Sequence, residues 1–314
     1  MFIEQQSANA KKRLMLPDIL PDIYRATSAL DAVQKHLETL ELSIQADSSN
    51  RDLKLMRNGL TDYYKLVSNH DMRQKHRDVF NELHEFNTKN HLESLIKTTA
   101  RIKSLISYYN KCRIRLYDGV SLDGIRDIYA CRTIVDSTNS EEENIRLCYE
   151  IMNETIDFMI SLGFTPCEKE KEKDIKNFNS KDFPNIVVPE QAYLSVENEK
   201  YVKDYILLPK ANTGYQSLHI IFKDTNGSYF EYQVRTYSMD MEAAYGKAAH
   251  CNFKNQQIKR SIQKNIIIDP KNVNMPGYRY IGEVNGTQVL ADDAGLEQST
   301  PILLRTHKPS HPLT

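Results

Sequence analysis

Along Phe230-Glu231-Tyr232-Gln233-Val234-Arg235 the side chains alternate between two chemistries. In an extended strand Glu231, Gln233 and Arg235 share one face, and Phe230, Tyr232 and Val234 share the other. The stretch before it alternates in the same way, with Tyr215, Ser217 and His219 on one face and Gln216, Leu218 and Ile220 on the other. Thr225-Asn226-Gly227 joins the two runs, and Asn-Gly is a strong hairpin signal. One face of this hairpin reads as core. The other carries a carboxylate, an amide, a guanidinium, an imidazole and a phenol. A solvated sheet face is the commoner use of such alternation, but it usually mixes Thr, Lys and Glu. Lys210-Ala-Asn-Thr-Gly214 leads into the hairpin after Pro209, adding a cation on a loop with backbone freedom.

Further cations lie upstream in Arg101-Ile-Lys-Ser-Leu-Ile-Ser-Tyr-Tyr-Asn-Lys111. Read as a helix, this segment sets Ile102, Leu105, Ile106 and Tyr109 in one apolar stripe, with Arg101 and Lys103 flanking it. Ser104, Ser107 and Lys111 fill the polar half. A plain surface helix has the same pattern. Small serines among the cations would let a polyphosphate approach closely, and Arg forks and Lys point charges both suit phosphate oxygens. Asp127 opens the next extended run. One Asp and one Glu on separate strands is the minimum for Mg²⁺ beside a nucleotide, since Mg²⁺ takes one or two carboxylates and fills its octahedron with phosphate and water. Asp127 could equally turn the chain into the strand.

The elements that must position these groups are also legible. Residues 18–112 read as helical, with Leu30, Val33, Leu37 and Leu40 at helical spacing, a second segment from Arg51 to about Val67, and an interruption at Asn69-His70-Asp71. Asp127–Asp136 has strand length and composition. Glu141–Leu162 reads as a helix with Ile145, Cys148, Tyr149, Met152, Ile156, Met159 and Ile160 on its apolar stripe, an acidic first turn and Gly163 at its end. The alternating charges of 168–182 suggest a solvated loop. Strands are expected over Tyr201–Leu208, Ser217–Lys223 and Tyr229–Thr236, then a helix from near Ser238 to about Phe253. Tyr278–Gly282 and Thr287–Leu290 flank Asn285-Gly286 as a second hairpin, and the last residues, HKPSHPLT, read as disordered.

With 314 residues, 40% of them apolar, the chain can bury a sizeable core, and its formal net charge of -1 provides no global field for nucleic acid or membrane. Five cysteines without a C-x-x-C pair argue for free thiols in a reducing compartment. No apolar run has the length of a membrane span or a signal peptide.

Five blocks, in order over about 155 residues, resemble the synthetase domain of the RelA/SpoT family. Asp204 to His219 (DYILLPKANTGYQSLH) is similar to its guanosine-site loop, and Glu231-Tyr-Gln-Val-Arg-Thr236 to its E-x-Q-[IV]-R-T strand. Met239 followed by Ala-Tyr-Gly-Lys-Ala-Ala-His250 resembles its closing helix, Arg101-Ile-Lys-Ser104 with Lys111 its ATP-site helix, and Asp127 to Arg132 its D-x-x-[AG]-x-R strand. The resemblance implies an α+β, nucleotidyltransferase-like fold: a mixed or antiparallel sheet flanked by helices, with a helical N-terminal extension. It implies transfer of the β,γ-pyrophosphoryl group of ATP to the ribose 3′-oxygen of GTP or GDP, with Mg²⁺ as cofactor. Glu231 and Asp127 would be the catalytic and metal-binding carboxylates. Arg101 and Arg132 would sandwich adenine, and Lys103, Ser104 and Lys111 would hold the ATP phosphates. Lys210, Tyr215, His219 and Gln233 would line the acceptor, with Tyr215 stacked on its base.

The sequence departs from that family in three places. Thr213 is an extra residue where the usual loop reads K-x-N-G-Y. The stretch 165–199 is longer than expected. Asp127 and Arg132 differ in strand parity, so a bulge, or Asp127 standing ahead of the strand, is needed for both to face one site. His70-Asp71 is the only pair resembling the His-Asp ligands of the family's hydrolase and reads instead as a helix junction. The expected organisation is a helical region (1–94), a synthetase domain (95–255) and a C-terminal extension (256–314) in a cytoplasmic, synthetase-only protein. Other acceptors remain open, namely tRNA 3′ ends or adenine nucleotides as in toxic relatives, as do a non-catalytic nucleotide-binding regulator, a homo-oligomer and an antitoxin partner.

Overall fold

The computed structural model describes residues 16–91, 95–136, 140–170, 179–183, 186–211, 213–245, 278–284 and 287–292. The described part of the chain opens with the helices α1 (Leu20–Tyr24), α2 (Ala29–Ala46), α3 (Arg51–Ser68) and α4 (His70–Asn90). Their starts are set by side chains that satisfy otherwise orphaned N–H groups. Ser28 accepts from Asp31, Asn50 from Asp52 and Leu53, and Asn69 from Met72. Asn69 thus makes the break expected between the second and third long segments. His70 and Asp71 lie exposed on the first turn of α4, a helix junction.

Next come β1 (Leu95–Ile102), α5 (Leu105–Tyr117), β2 (Tyr129–Asp136) and α6 (Glu141–Ser161). Here the helical reading of 18–112 needs correction, because residues 95–102 form a strand. Leu-Ile-Lys-Thr-Thr-Ala-Arg-Ile is rich in β-branched residues, and it pairs antiparallel with β2 from Leu95↔Asp136 to Ile102↔Tyr129. Arg101 therefore ends a strand, Lys103 lies in the link, and Ser104 is the N-cap of α5, accepting from Ser107 N–H. α6 opens with a capping box between Ser140 and Glu143 and stops at Gly163, whose φ of 85° suits a residue without Cβ. Its stripe is buried as expected except at Ile160, which is 49% exposed.

β3 (Thr165–Pro166), β4 (Lys203–Asp204), β5 (Leu218–Lys223), β6 (Tyr229–Thr236) and α7 (Tyr237–Tyr245) follow. The strand expected over Tyr201–Leu208 is reduced to β4, because the Asp204 carboxylate accepts from the N–H groups of Ile206 and Leu207 and turns the chain. The expected helix to Phe253 is described to Tyr245; the remainder, and the terminal HKPSHPLT, lie outside the described residues. β7 (Tyr278–Val284) and β8 (Thr287–Asp292) pair antiparallel, as the second hairpin requires.

The main sheet runs β1-β2-β6-β5-β3, with β4 on β5. β2 and β6 are parallel and the other pairs antiparallel, giving a mixed sheet flanked by helices, as expected. The core is continuous from the N-terminal helices to the sheet, taking in Leu40, Leu60, Phe80, Ile106, Met152 and Val234. Cys112, Cys131 and Cys148 are buried free thiols. No described helix is long and apolar enough to cross a membrane.

Candidate functional site

Cross-strand register assembles the polar face. Thr99, Arg132, Gln233, His219 and Lys203 form one row over β1, β2, β6, β5 and β4, and Arg101, Ala130, Glu231 and Ile221 form the next. The hairpin residues selected by alternation thus share a face with both arginines from upstream. This face is not solvated: Glu231, Gln233 and Arg235 are 8%, 5% and 3% exposed.

Its side chains are joined end to end. Gln233 Nε2 donates to Glu231 Oε2 (2.7 Å), and Arg132 Nε donates to Gln233 Oε1 (3.4 Å). The other Glu231 oxygen is 3.4 Å from His219 Nδ1, and His219 Nε2 is 2.8 Å from the Tyr215 hydroxyl. Arg235 donates to that hydroxyl (3.4 Å). Asp240, fully buried on α7, pairs with both Arg235 and Arg132, which closes a ring.

Proximity sets the charges. Burial opposes ionisation of Glu231, yet the His219 contact outweighs it and holds the carboxyl at about 2, with Asp127 acting in the opposite sense. For His219, burial pulls the imidazole down, but Tyr215 and Glu231 on either side raise it above its ordinary value. Burial would raise the Tyr215 phenol, while His219, Arg235 and Arg132 together lower it. Burial, with Arg235 and Arg101 nearby, brings Arg132 down to about 9.

A second cluster sits at the ends of β1 and β2. Lys103 Nζ and Lys111 Nζ both contact Asp127 Oδ2, at 2.8 and 2.9 Å. Asp127 stands ahead of β2, one of the two arrangements that the parity difference called for, and the Lys103 N–H bonds the Ile128 carbonyl (2.7 Å). Burial works against the Asp127 charge, but the two ammoniums overcome it and keep the carboxyl well below the usual range. Asp127 Oδ1 is buried with no hydrogen-bond partner. That orphan oxygen is the donor a cation would take. Among the described residues no three His, Cys, Asp or Glu side chains converge. A pair of carboxylates such as Asp127 and Glu231 suits Mg²⁺, which keeps water and phosphate as its other ligands, better than zinc.

The remaining sequence-predicted residues lie at the margins. Arg101 is exposed at the end of β1. Lys210 is exposed too, its ammonium 4.3 Å from the centre of the Tyr205 ring. The extra Thr213 is taken up inside a closed loop. Thr213 N–H and Gly214 N–H both bond the Lys210 carbonyl, and Thr213 Oγ1 accepts from Tyr215 N–H. Tyr215 stays against His219. Sequence reasoning missed Asp240 and Lys203, and it put Arg235 on the polar face without a role. Register with His219 places Lys203, a relation between distant segments that no local pattern carries.

The family described as a region found in RelA/SpoT proteins matches residues 100–258, a span containing all of these side chains except Thr99. The chain belongs to the RelA/SpoT family. Its RelA/SpoT relatives include a guanosine-3′,5′-bis(diphosphate) 3′-pyrophosphohydrolase of Spiroplasma citri, 33% identical over 159 residues, and one of Vibrio cholerae serotype O1, 29% identical over 158. Those matches take in 51% and 50% of this chain but only 15% and 16% of the relatives' length. A GTP pyrophosphokinase of Streptomyces antibioticus is 46% identical over 59 residues, 19% of this chain and 7% of that one. Among solved structures, the small alarmone synthetase 1 of Bacillus subtilis bound to its product pppGpp aligns over 61% of this chain and 83% of its own. The TM-score there is 0.35 at 18% identity.

Proposed function

We propose that this chain is a pyrophosphokinase that moves the β,γ-pyrophosphoryl group of ATP onto the ribose 3′-oxygen of GTP or GDP, giving pppGpp or ppGpp and AMP. The observation that carries the reading is Glu231: an ionised, buried carboxylate on one sheet face with Arg101 and Arg132, within electrostatic reach of Asp127. The unit that does this work is taken as residues 95–255, between a helical region (1–94) and an extension (256–314).

In this reading Arg101 and Arg132 lie diagonally across β1 and β2 and stack on the two faces of adenine. Lys103, Lys111 and Ser104 hold the ATP phosphates. Tyr215 stacks on the acceptor base, with Lys210, His219 and Gln233 lining the rest. Glu231, held ionised by the His219 contact, orients the 3′-hydroxyl towards the β-phosphorus and accepts its proton as general base. Mg²⁺, held by Asp127 and Glu231, would neutralise charge on the phosphates. Catalysis is then mostly alignment and charge neutralisation, as in phosphoryl transfer generally.

The test is product analysis. Protein with ATP, Mg²⁺ and GTP or GDP should yield AMP and a 3′-pyrophosphorylated nucleotide, and Glu231→Gln should reduce turnover by about 10²-fold or more. Absence of AMP with either guanine acceptor would sink the reading. GMP, ATP and bulk tRNA in the same assay identify the acceptor if it is not GTP or GDP.

A further inference from the structure

Between β3 and β4 the chain makes a long excursion, and its described parts are tied down at two places. One is α6. Asn153 Nδ2 donates to the Tyr193 carbonyl (3.1 Å), while Asn153 Oδ1 accepts from Ser195 N–H and Asn198 Nδ2 (both 3.1 Å). Tyr193 packs edge-on to Tyr149, with ring centroids 5.6 Å apart.

The other is the loop that carries Tyr215. Gln216 Nε2 donates to the Val187 carbonyl (2.8 Å) and to the Ile206 carbonyl (2.9 Å), so one buried amide joins the excursion to the chain leaving β4. Phe183, 8% exposed, and Ile186 press against Gly214. The fit is close: a methyl group on Gly214 would come within 2.7 Å of Phe183 and nearer still to Ile186. Gly214 also has φ 67°, so both backbone and space there require glycine.

Tyr215 is thus bracketed. Gly214 before it is pinned by Phe183 and Ile186, and Gln216 after it is pinned by Val187. The donor side has other supports: Lys103, Ser104 and Lys111 depend on α5, on Asp127 and, through the Lys103 carbonyl, on Tyr63.

We propose that Phe183, Ile186 and Val187 form a strap that sets the position of Tyr215, so that affinity for the acceptor nucleotide is governed by an excursion outside the strands. These are positioning residues; none is placed against the reacting atoms. The proposal rests on the acceptor role of Tyr215 given above. It adds that acceptor and donor affinities are separately adjustable in this chain. Pre-ordering the loop lowers the cost of binding, and loosening it should appear in that one affinity.

The experiment uses the full chain with Phe183→Ala and Ile186→Ala, singly and together, and Phe183→Leu as the conservative control. In steady-state assays the double variant should raise the acceptor KM by about tenfold or more and leave the ATP KM within about twofold, with Phe183→Leu restoring most of the loss. In parallel, amide hydrogen exchange on the nucleotide-free protein should become faster in peptides covering 210–217 and stay unchanged over 103–111. Unchanged exchange over 210–217, or an equal rise in both KM values, would overturn the strap. If the wild-type protein turns over no acceptor while exchange over 210–217 still quickens in the variants, the reaction assignment and the affinity claim fail, and only the positioning of Tyr215 by the strap stands.

Discussion

Glu231 touches His219 and Gln233, and Asp127 touches two ammoniums; in both, folding favours the ionised carboxyl. Glu231 is held at about 2, against an ordinary value of 4.5, and Asp127 is also lowered. The sign follows from proton binding: the unfolded chain takes up these protons more readily, so acid favours unfolding. The contribution is complete above about pH 4.5 and is lost as pH falls through the folded values. His219 has the opposite sign. Its raised value gives stability that is full below the ordinary histidine range and lost as pH rises through the folded value. Thermal melts should therefore show Tm falling steeply below about pH 4.5, and Glu231→Gln should make that decline shallower. An identical acid limb in both proteins would contradict the assignment of the Glu231 charge.

At the scale of elements, β1, β2 and β6 are held in register from behind by a buried polar knot. The Tyr232 hydroxyl is 2.8 Å from Thr133 Oγ1, Thr133 is 3.1 Å from Thr98 Oγ1, and Asn87 on α4 donates to both Tyr232 and Thr133. Tyr232 lies between Glu231 and Gln233, so the knot sits directly under the site. Removing one buried hydroxyl leaves partners unsatisfied. Tyr232→Phe should cost about 1–3 kcal/mol in urea unfolding. Much of this arrangement was legible in the sequence. The hairpin announced itself through alternation and Asn-Gly, α6 through its stripe and caps, and β2 through its β-branched and aromatic composition. β1 did not, because Leu95–Ile102 continues a glycine-poor helical stretch and becomes a strand only through pairing with β2. The site followed the same rule. Side chains that alternate within one strand could be grouped, whereas Lys203 and Asp240 join the face through long-range register and the packing of α7.

For the whole molecule, tyrosine hydroxyls bind the N-terminal helices to the sheet half. Tyr63 donates to the Lys103 carbonyl (2.8 Å), Tyr108 to Gly59 (2.9 Å), Tyr109 to Pro17 (2.6 Å) and Tyr129 to Leu66 (2.7 Å). The first of these holds the link between β1 and α5, where Lys103 emerges. Tyr63→Phe should loosen that link by about 1 kcal/mol and raise the ATP KM about fivefold, measured against an unchanged acceptor KM. The helices thus act on the site through the backbone that carries its cations. Those cations have a further property. Lys103 and Lys111 share one oxygen of Asp127, while the other oxygen has no partner. At rest the site is an internal salt, two ammoniums closed on one carboxylate. In the proposed reaction, a polyanion arriving with its own divalent cation would meet this salt as a second one, and Lys103 and Lys111 would turn to the polyanion while Asp127 would turn to the cation. Such a metathesis would keep each charge partnered, and it would favour the polyanion and the cation entering as a pair.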